Sequence, residues 1–332
     1  MRKLFFKVAL LVIPTLLFLY FLPILYYQNK GINKAILSKF SALYPLVKNK
    51  RCIVIAGDSR AERQLIPDLI EQKTGVKTVN IAVSSGDLIS FLPYLHYFNP
   101  DSTTIVFSAS SWQTNDGGIT PGYFSLDTYI QLNFFQRLSI FKFNLKDYIE
   151  MEDQLLRNTF KDIFRDLSNN KKRYTYDPNV IHNKGFLAVN KYLPNQQILT
   201  KQSKNHTHKK NVHPWYQELD ANGYRNQLFQ KALATLGNSN FKVILYQPPV
   251  TKSFYISNKS NSIGAFESNY GFKLELVSKR YKNIHFINFY DHPLYFLNDS
   301  CFYDPQHLNY IGAKKFTDFI TNQLLDVSTF NK

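Results

Sequence analysis

The stretch Ile53-Val-Ile-Ala-Gly-Asp-Ser-Arg60 is an unbroken apolar run that ends in a short turn and a serine. Such a run is typical of a parallel strand that helices cover on both faces. Residues 61–74 follow with leucine and isoleucine at helical spacing, and residues 76–83 form a second apolar run. Strand, helix and strand in this order form a βαβ unit, which predicts a parallel sheet.

The same alternation continues along the chain. Three more strands are predicted at Thr103–Ala109, Phe241–Gln247 and Ile284–Phe289. Helical patterns separate or follow them at residues 88–98, 215–236, 263–281 and 311–325. We therefore expect an α/β domain over residues 51–327, built as three α/β/α layers around a central parallel sheet of about five strands.

An insertion at about 117–223 interrupts this rhythm. It has aromatic-rich helical pieces between residues 129 and 167, and then a polar stretch over residues 168–212. Two interpretations stay open for this region: a lid that covers the substrate, or a surface excursion with no direct role.

The N-terminus predicts a membrane anchor. Residues 1–7 are basic, and Val8–Tyr27 is a run of 20 residues without charge, long enough to span a bilayer. A cleaved signal peptide is the alternative, but no small-x-small cleavage site follows the run. We expect a transmembrane anchor over residues 1–30 with a cytoplasmic N-terminus, a connector over 31–50 and an extracytoplasmic domain. Lys30, Lys34 and Lys39 weaken the prediction of orientation.

The chain of 332 residues carries a formal net charge of +16, and its basic residues are spread out. A solvated basic surface explains this charge, although anionic lipid headgroups or an anionic polymer are alternatives. No basic-aromatic motif indicates a nucleic-acid partner. Cys52 and Cys301 are expected at opposite ends of one strand, which is too far apart for a disulfide.

A second motif, Phe302-Tyr-Asp-Pro-Gln-His-Leu-Asn309, precedes the last predicted helix. Ser59 ends a parallel strand, where ligands bind in such sheets. A serine hydroxyl becomes a nucleophile when a histidine accepts its proton and a carboxylate orients that histidine. These residue types predict Ser59 as nucleophile, His307 as base and Asp304 as the orienting acid, without the Gly-x-Ser-x-Gly elbow of ordinary α/β-hydrolases.

The order of these motifs resembles the SGNH (GDSL-type) hydrolase superfamily, which has a flavodoxin-like fold. Gly57-Asp58-Ser59 matches its first block, Asp304-Pro-Gln-His307 matches its last, and Asn80-Ile-Ala-Val-Ser-Ser-Gly86 is similar to its second. The resemblance implies an oxyanion hole formed by the N–H groups of Ser59 and of either Ser85 or Gly86.

The third block departs from the family pattern. The family has Gly-x-Asn-Asp, whose asparagine donates to the oxyanion, whereas this chain has Ala109-Ser-Ser-Trp112. Ser111 then stands at the asparagine position, and Asn115, four residues later, is an alternative donor. Loss of one donor costs about 3 kcal/mol of transition-state stabilisation, so the rate is expected to suffer.

The anchor, the altered third block and Tyr246–Tyr255 resemble a membrane-anchored branch that includes D-alanyl transfer and exopolysaccharide acetylation proteins. That likeness implies a membrane-anchored serine esterase or O-acyltransferase acting on an acylated envelope polysaccharide or glycolipid. A membrane acyltransferase is then a partner to consider. The alternative is a catalytically weak binding or assembly subunit of a polymer-modification system.

Other residues have two interpretations each. Arg60, Trp112 and Asn115 are candidate substrate contacts, but Arg60 can instead pair with an acidic neighbour, and Trp112 can pack in the core. Histidines at 206, 208 and 213 cluster without a cysteine or acidic ligand at the spacing that zinc needs. We therefore expect neither a metal nor a cofactor.

Overall fold

The computed structural model describes residues 2–27, 34–115, 129–130, 132–140, 145–167, 176–190, 223–291 and 294–329. Its strands are β1 Cys52–Ala56, β2 Lys77–Asn80, β3 Thr103–Ser108, β4 Lys242–Gln247 and β5 Ile284–Asn288. Within these residues they form one sheet in the order β2-β1-β3-β4-β5, and every neighbouring pair is parallel. The predicted parallel α/β sheet of about five strands is confirmed.

Twelve helices lie in the described part of the chain. They are α1 Arg2–Tyr27, α2 Lys34–Val47, α3 Ser59–Gln64, α4 Pro67–Thr74, α5 Leu88–Leu95, α6 Phe134–Ile140, α7 Leu145–Leu167, α8 Pro178–His182, α9 Tyr224–Gly237, α10 Lys252–Asn258, α11 Ser262–Arg280 and α12 Tyr310–Thr329. Short 3-10 segments occur at Pro100–Ser102, Ser111–Thr114 and Asp299–Cys301.

The sheet has a hydrophobic core on each face. Val54 of β1 points into a cluster that α2, α5, α9 and α11 complete. Ile53 and Ile55 point to the other face, into a cluster formed with α3, α4 and α12. All five residues of β1 are buried, which explains why its sequence lacks polar alternation.

The predicted helix over residues 61–74 is wrong in its continuity, because the structure has two helices there. Pro67 begins α4, and a proline disfavours helical backbone in the residue before it. Ile66 is accordingly extended, with φ −98° and ψ 107°. Its N–H donates instead to the Thr317 hydroxyl of α12 at 3.0 Å, so the break ties the segment after the nucleophile to the last helix.

Described parts of the predicted insertion lie in two places. Helix α7 packs beside α1, where the Tyr27 hydroxyl donates to Asp162 at 2.8 Å. Residues 176–190 run along the edge strand β2, and the N–H of Asn80 donates to the Lys184 carbonyl at 2.9 Å. The rest of the insertion lies outside the described residues, so both interpretations, a lid or a surface excursion, stay open.

Among the residues whose side chains the structure describes, no helix is both long and apolar enough to cross a membrane. The anchor predicted over residues 1–30 stays a prediction.

Candidate active site

The candidate nucleophile follows a turn that only glycine can make. Gly57 has φ +128°, and a Cβ atom there would lie 2.8 Å from the Cβ of Ser108. Glycine therefore lets the ends of β1 and β3 approach each other. Asp58 then caps α3 by accepting the N–H of Arg60 at 3.0 Å, and Ser59 is the first residue of that helix.

The structure brings the three predicted catalytic residues together. Ser59 Oγ lies 2.8 Å from His307 Nε2, and His307 Nδ1 lies 2.8 Å from Asp304 Oδ2. With the ring proton on Nδ1, directed at the carboxylate, Nε2 is the atom that accepts a hydrogen from Ser59. This linear arrangement is the one that activates a serine in acyl transfer.

Asp304 also shapes the loop that carries it. Its Oδ1 accepts the N–H groups of Gln306 and His307 at 2.8 and 2.9 Å. Burial acts to raise the pKa of Asp304, but hydrogen bonds from the His307 side chain and these N–H groups, with the charge of His307, lower it overall. The Thr251 N–H, just after β4, donates to the Pro305 carbonyl at 2.9 Å and fixes the loop to the sheet.

Tyr303 is a neighbour that the sequence interpretation missed. Its ring stacks on the His307 imidazole with centroids 5.4 Å apart, and its hydroxyl accepts a hydrogen bond from Arg63. Burial and the charge of Asp304 raise the pKa of Tyr303 to about 12, so it is neutral at ordinary pH. Its position directly before Asp304 was the only available signal in the sequence.

The N–H groups of Ser59 and Ser85 are the candidate oxyanion donors. The Val83 N–H donates to the Gly57 carbonyl at 3.2 Å, which holds the loop after β2 beside the nucleophile turn. The Gly86 N–H is used in a turn, donating to the Val83 carbonyl at 2.9 Å. Among the described residues, the N–H groups of Ser59 and Ser85 have no hydrogen-bond partner. This geometry favours Ser85 over Gly86 as the second oxyanion donor.

In the third block, the Ser111 hydroxyl is engaged by an acidic side chain. The Ser111 hydroxyl donates to Glu267 Oε1 at 2.7 Å, and Gln247 donates to the other oxygen of that carboxylate at 2.8 Å. A hydroxyl has one hydrogen, so this bond uses the one that Ser111 would offer an oxyanion. Asn115 is buried, and its carbonyl accepts from Arg225 at 3.3 Å.

The buried carboxylate of Asp58 accounts for the positions of the Arg60 and Trp112 side chains. Asp58 accepts hydrogen bonds from the Ser110 hydroxyl at 2.6 Å, the Trp112 indole at 2.9 Å, the Ser108 hydroxyl at 3.3 Å and Arg60 Nε at 3.4 Å. Burial acts to raise the pKa of Asp58, but the charge of Arg60, the hydrogen bonds from Ser110 and Trp112, and the charge of His307 lower it overall. Arg60 and Trp112 are each only 3% exposed, which favours their structural interpretations over substrate contact.

The candidates that remain are the histidine cluster of the insertion and the two cysteines. His206, His208 and His213 lie outside the described residues. Cys52 and Cys301 are buried free thiols. Where the structure describes the chain, no group of three or more His, Cys, Asp or Glu side chains is arranged to hold a metal ion.

Comparison with known proteins adds no relative. No protein-family model matches the chain, and no curated protein matches it.

Proposed function

We propose that the chain is a serine esterase or O-acyltransferase of the SGNH type, with Ser59 as the nucleophile. The observation that carries the proposal is the hydrogen-bonded series Ser59, His307 and Asp304. It lies beyond the carboxyl end of β1, next to β3, where the strand order reverses. Open parallel sheets bind ligands at this point.

The first half of the reaction forms an acyl-enzyme. Ser59 Oγ attacks the ester carbonyl carbon while its proton passes to His307 Nε2. The N–H groups of Ser59 and Ser85 stabilise the negative charge on the former carbonyl oxygen. The bond to the leaving alcohol then breaks, and His307 gives its proton to that alcohol's oxygen.

The second half releases the acyl group. Water, or a sugar hydroxyl in a transferase, gives a proton to His307 and attacks the acyl carbon. The bond to Ser59 breaks, and the proton returns to its oxygen. When water is the acceptor, the product is a free acid. When a sugar hydroxyl is the acceptor, the product is a new ester. The acceptor alone therefore distinguishes an esterase from a transferase.

The substrate and location belong to the same proposal. The uncharged run Val8–Tyr27 supports a single-pass anchor, with the N-terminus cytoplasmic and the catalytic domain extracytoplasmic. The substrate is an acylated envelope polysaccharide or glycolipid, and a membrane acyltransferase is the partner that would supply or receive the acyl group. These points rest on the resemblance to the membrane-anchored branch.

One observation favours a second function. The hydrogen bond from Ser111 to Glu267 uses the hydroxyl hydrogen that Ser111 would offer to an oxyanion. The proposed donors are then the two backbone N–H groups, without Ser111. A missing donor lowers rates by roughly a hundredfold to a thousandfold. A slow site of this kind also fits a binding or assembly subunit that holds a polymer without turning it over.

The test uses the full chain in detergent with p-nitrophenyl acetate and a fluorophosphonate probe. Wild type should release nitrophenol and take up the probe, whereas Ser59→Ala and His307→Ala should do neither. Ser268→Ala and His96→Ala remove the same side chains at exposed positions and should match wild type. An inactive wild type would favour the binding subunit.

A further inference from the structure

A buried ion pair lies beside the loop that carries Ser85. Lys39 Nζ of α2 is 3.0 Å from Glu62 Oε1 of α3, and their side chains are 0% and 1% exposed. Removing two charges from water is costly, and a buried pair is often no more stable than apolar residues of similar size. Stability alone therefore does not explain this pair.

Both members of the pair hold the loop. Lys39 also donates to the Ala82 carbonyl, and the second oxygen of Glu62 accepts the Ser84 hydroxyl at 3.2 Å. Ala82 and Ser84 lie three residues and one residue before Ser85. Lys39 thus binds the backbone of the loop and Glu62 binds a side chain of it. Both contacts lie immediately before the N–H that is proposed as an oxyanion donor.

The same pair is fixed to the nucleophile helix. Glu62 lies three residues after Ser59, which is close to one turn of α3. Its backbone carbonyl accepts the Leu187 N–H at 3.0 Å, and its side chain accepts the Tyr176 hydroxyl. The Tyr176 ring centroid lies 4.9 Å from Lys39 Nζ. These contacts leave Glu62 little freedom to move relative to Ser59.

We infer that Lys39 and Glu62 are positioning residues that set the oxyanion loop against the nucleophile helix, and so fix the N–H of Ser85 relative to Ser59. This inference rests on the proposed function for its chemical meaning. It adds a residue of α2 to those that support the candidate active site. The sequence had identified this helix only as a connector. Neither side chain touches the reacting atoms.

The charge of Lys39 depends on pH in the alkaline range. Burial lowers the pKa of Lys39 to about 8, the charge of Glu62 opposes this shift, and Arg63 adds to it. The Tyr176 ring also faces the amine. Above this pH the lysine loses its charge, and Glu62 loses its counter-ion. Acyl transfer should then decline at alkaline pH.

Stability should change in the opposite direction. Between the lowered pKa and the ordinary value of 10.5, the unfolded chain binds a proton that the folded chain does not. Stability from this group therefore rises with pH over that range. An alkaline decline in activity without loss of melting temperature would separate positioning from unfolding.

The experiment compares full-length Lys39→Met, Glu62→Gln and Lys39→Arg with wild type. Lys73→Met is the matched control. Lys73 lies on α4, and its substitution breaks a solvent-exposed ion pair with Asp318. The readouts are kcat and KM for p-nitrophenyl acetate, the melting temperature, and amide hydrogen exchange of peptides covering residues 81–87.

We expect Lys39→Met and Glu62→Gln to lower kcat by roughly tenfold to a hundredfold, with KM within about twofold, since small misplacements cost rates of this size. Exchange at residues 81–87 should accelerate in both, and Lys73→Met should leave kcat and exchange unchanged. Lys39→Arg keeps its charge, so it should recover part of kcat and move the alkaline decline to higher pH.

Folded variants with wild-type kcat and wild-type loop exchange would overturn the inference, as would equal losses in Lys73→Met. If Lys39→Met does not fold, Ser84→Ala removes only the hydroxyl that Glu62 holds, and faster loop exchange with lower kcat is still expected. If wild type itself is inactive, the proposed function fails, and the exchange comparison alone decides whether the pair orders the loop.

Discussion

The Ser111 hydroxyl donates to the Glu267 carboxylate at 2.7 Å, on the strand end where the SGNH pattern has its oxyanion asparagine. Ser111 follows β3, and Glu267 lies on α11. The bond directs the hydroxyl hydrogen to a buried acid. It favours a role for Ser111 in supporting the strand end over a role as an oxyanion donor.

Ser111→Ala should therefore change turnover little. A true oxyanion donor would cost roughly a hundredfold or more in kcat when removed, whereas we expect a change under about threefold. The melting temperature should fall, because Glu267 loses a hydrogen bond worth about 1–3 kcal/mol. Steady-state kinetics and thermal unfolding check both, and a large loss of kcat in a folded variant would make Ser111 a donor.

Asp304→Asn should abolish most of the activity while the loop that carries Asp304 and His307 keeps its conformation. An amide in place of the carboxylate favours the wrong histidine tautomer, and the loss in a triad of this kind is roughly ten-thousandfold in kcat. Measuring kcat for nitrophenyl acetate decides this point. A variant within tenfold of wild type would mean that Asp304 does not orient His307.

The Asp304 carboxylate should also make the stability of the folded chain decrease at acidic pH. The pKa of Asp304 is lower in the folded chain than in the unfolded chain, so its stabilisation is present above the unfolded value and is lost as pH falls through the folded value. Melting temperatures of wild type and Asp304→Asn should therefore converge on acidification. Parallel curves at all pH values would contradict this linkage.

Gly57→Ala should destabilise the chain and inactivate it. The residue has φ +128°, and the new methyl would lie 2.8 Å from Ser108 Cβ. Strain and overlap together should cost about 3 kcal/mol or more of unfolding free energy. Gly75→Ala is the control: it has φ +69° but nothing within 4 Å, so it should cost only about 1 kcal/mol. Equal costs in urea unfolding would exclude the close approach as the cause.

Trp112→Phe separates a core role from a substrate-stacking role. It keeps an aromatic ring but removes the indole donor to Asp58. A lost bond to a charged group costs about 1.5–3 kcal/mol, so stability should fall. If Trp112 stacked on a sugar, affinity for a glycan substrate would weaken instead, with stability unchanged. Thermal unfolding and KM for an acetylated glycan distinguish the two.

The sequence was most informative where local pattern and chemistry coincide. The five strands follow from apolar runs such as Cys52–Ala56, because a strand covered on both faces needs no polar alternation. The proximity of Ser59, Asp304 and His307 could be predicted because a serine, an aspartate and a histidine stand at the ends of predicted elements. The break at Ile66 was missed although Pro67 is a local signal.

What the sequence could not provide is long-range pairing. Arg60 and Trp112 looked like substrate contacts, because nothing local indicates that both turn toward Asp58. Lys39 and Glu62 lie 23 positions apart in the chain on two different helices, and neither residue belongs to a motif. Such pairs depend on how α2 packs on the sheet, which periodicity does not specify.

The most direct measurement is the site of fluorophosphonate modification in the full chain, read by intact mass and peptide mapping. The account predicts one adduct, on the peptide that contains Ser59, at a rate that falls to background in His307→Ala while Ser268→Ala labels normally. Modification of wild type at another serine, or none in a folded sample, would contradict Ser59 as an activated nucleophile.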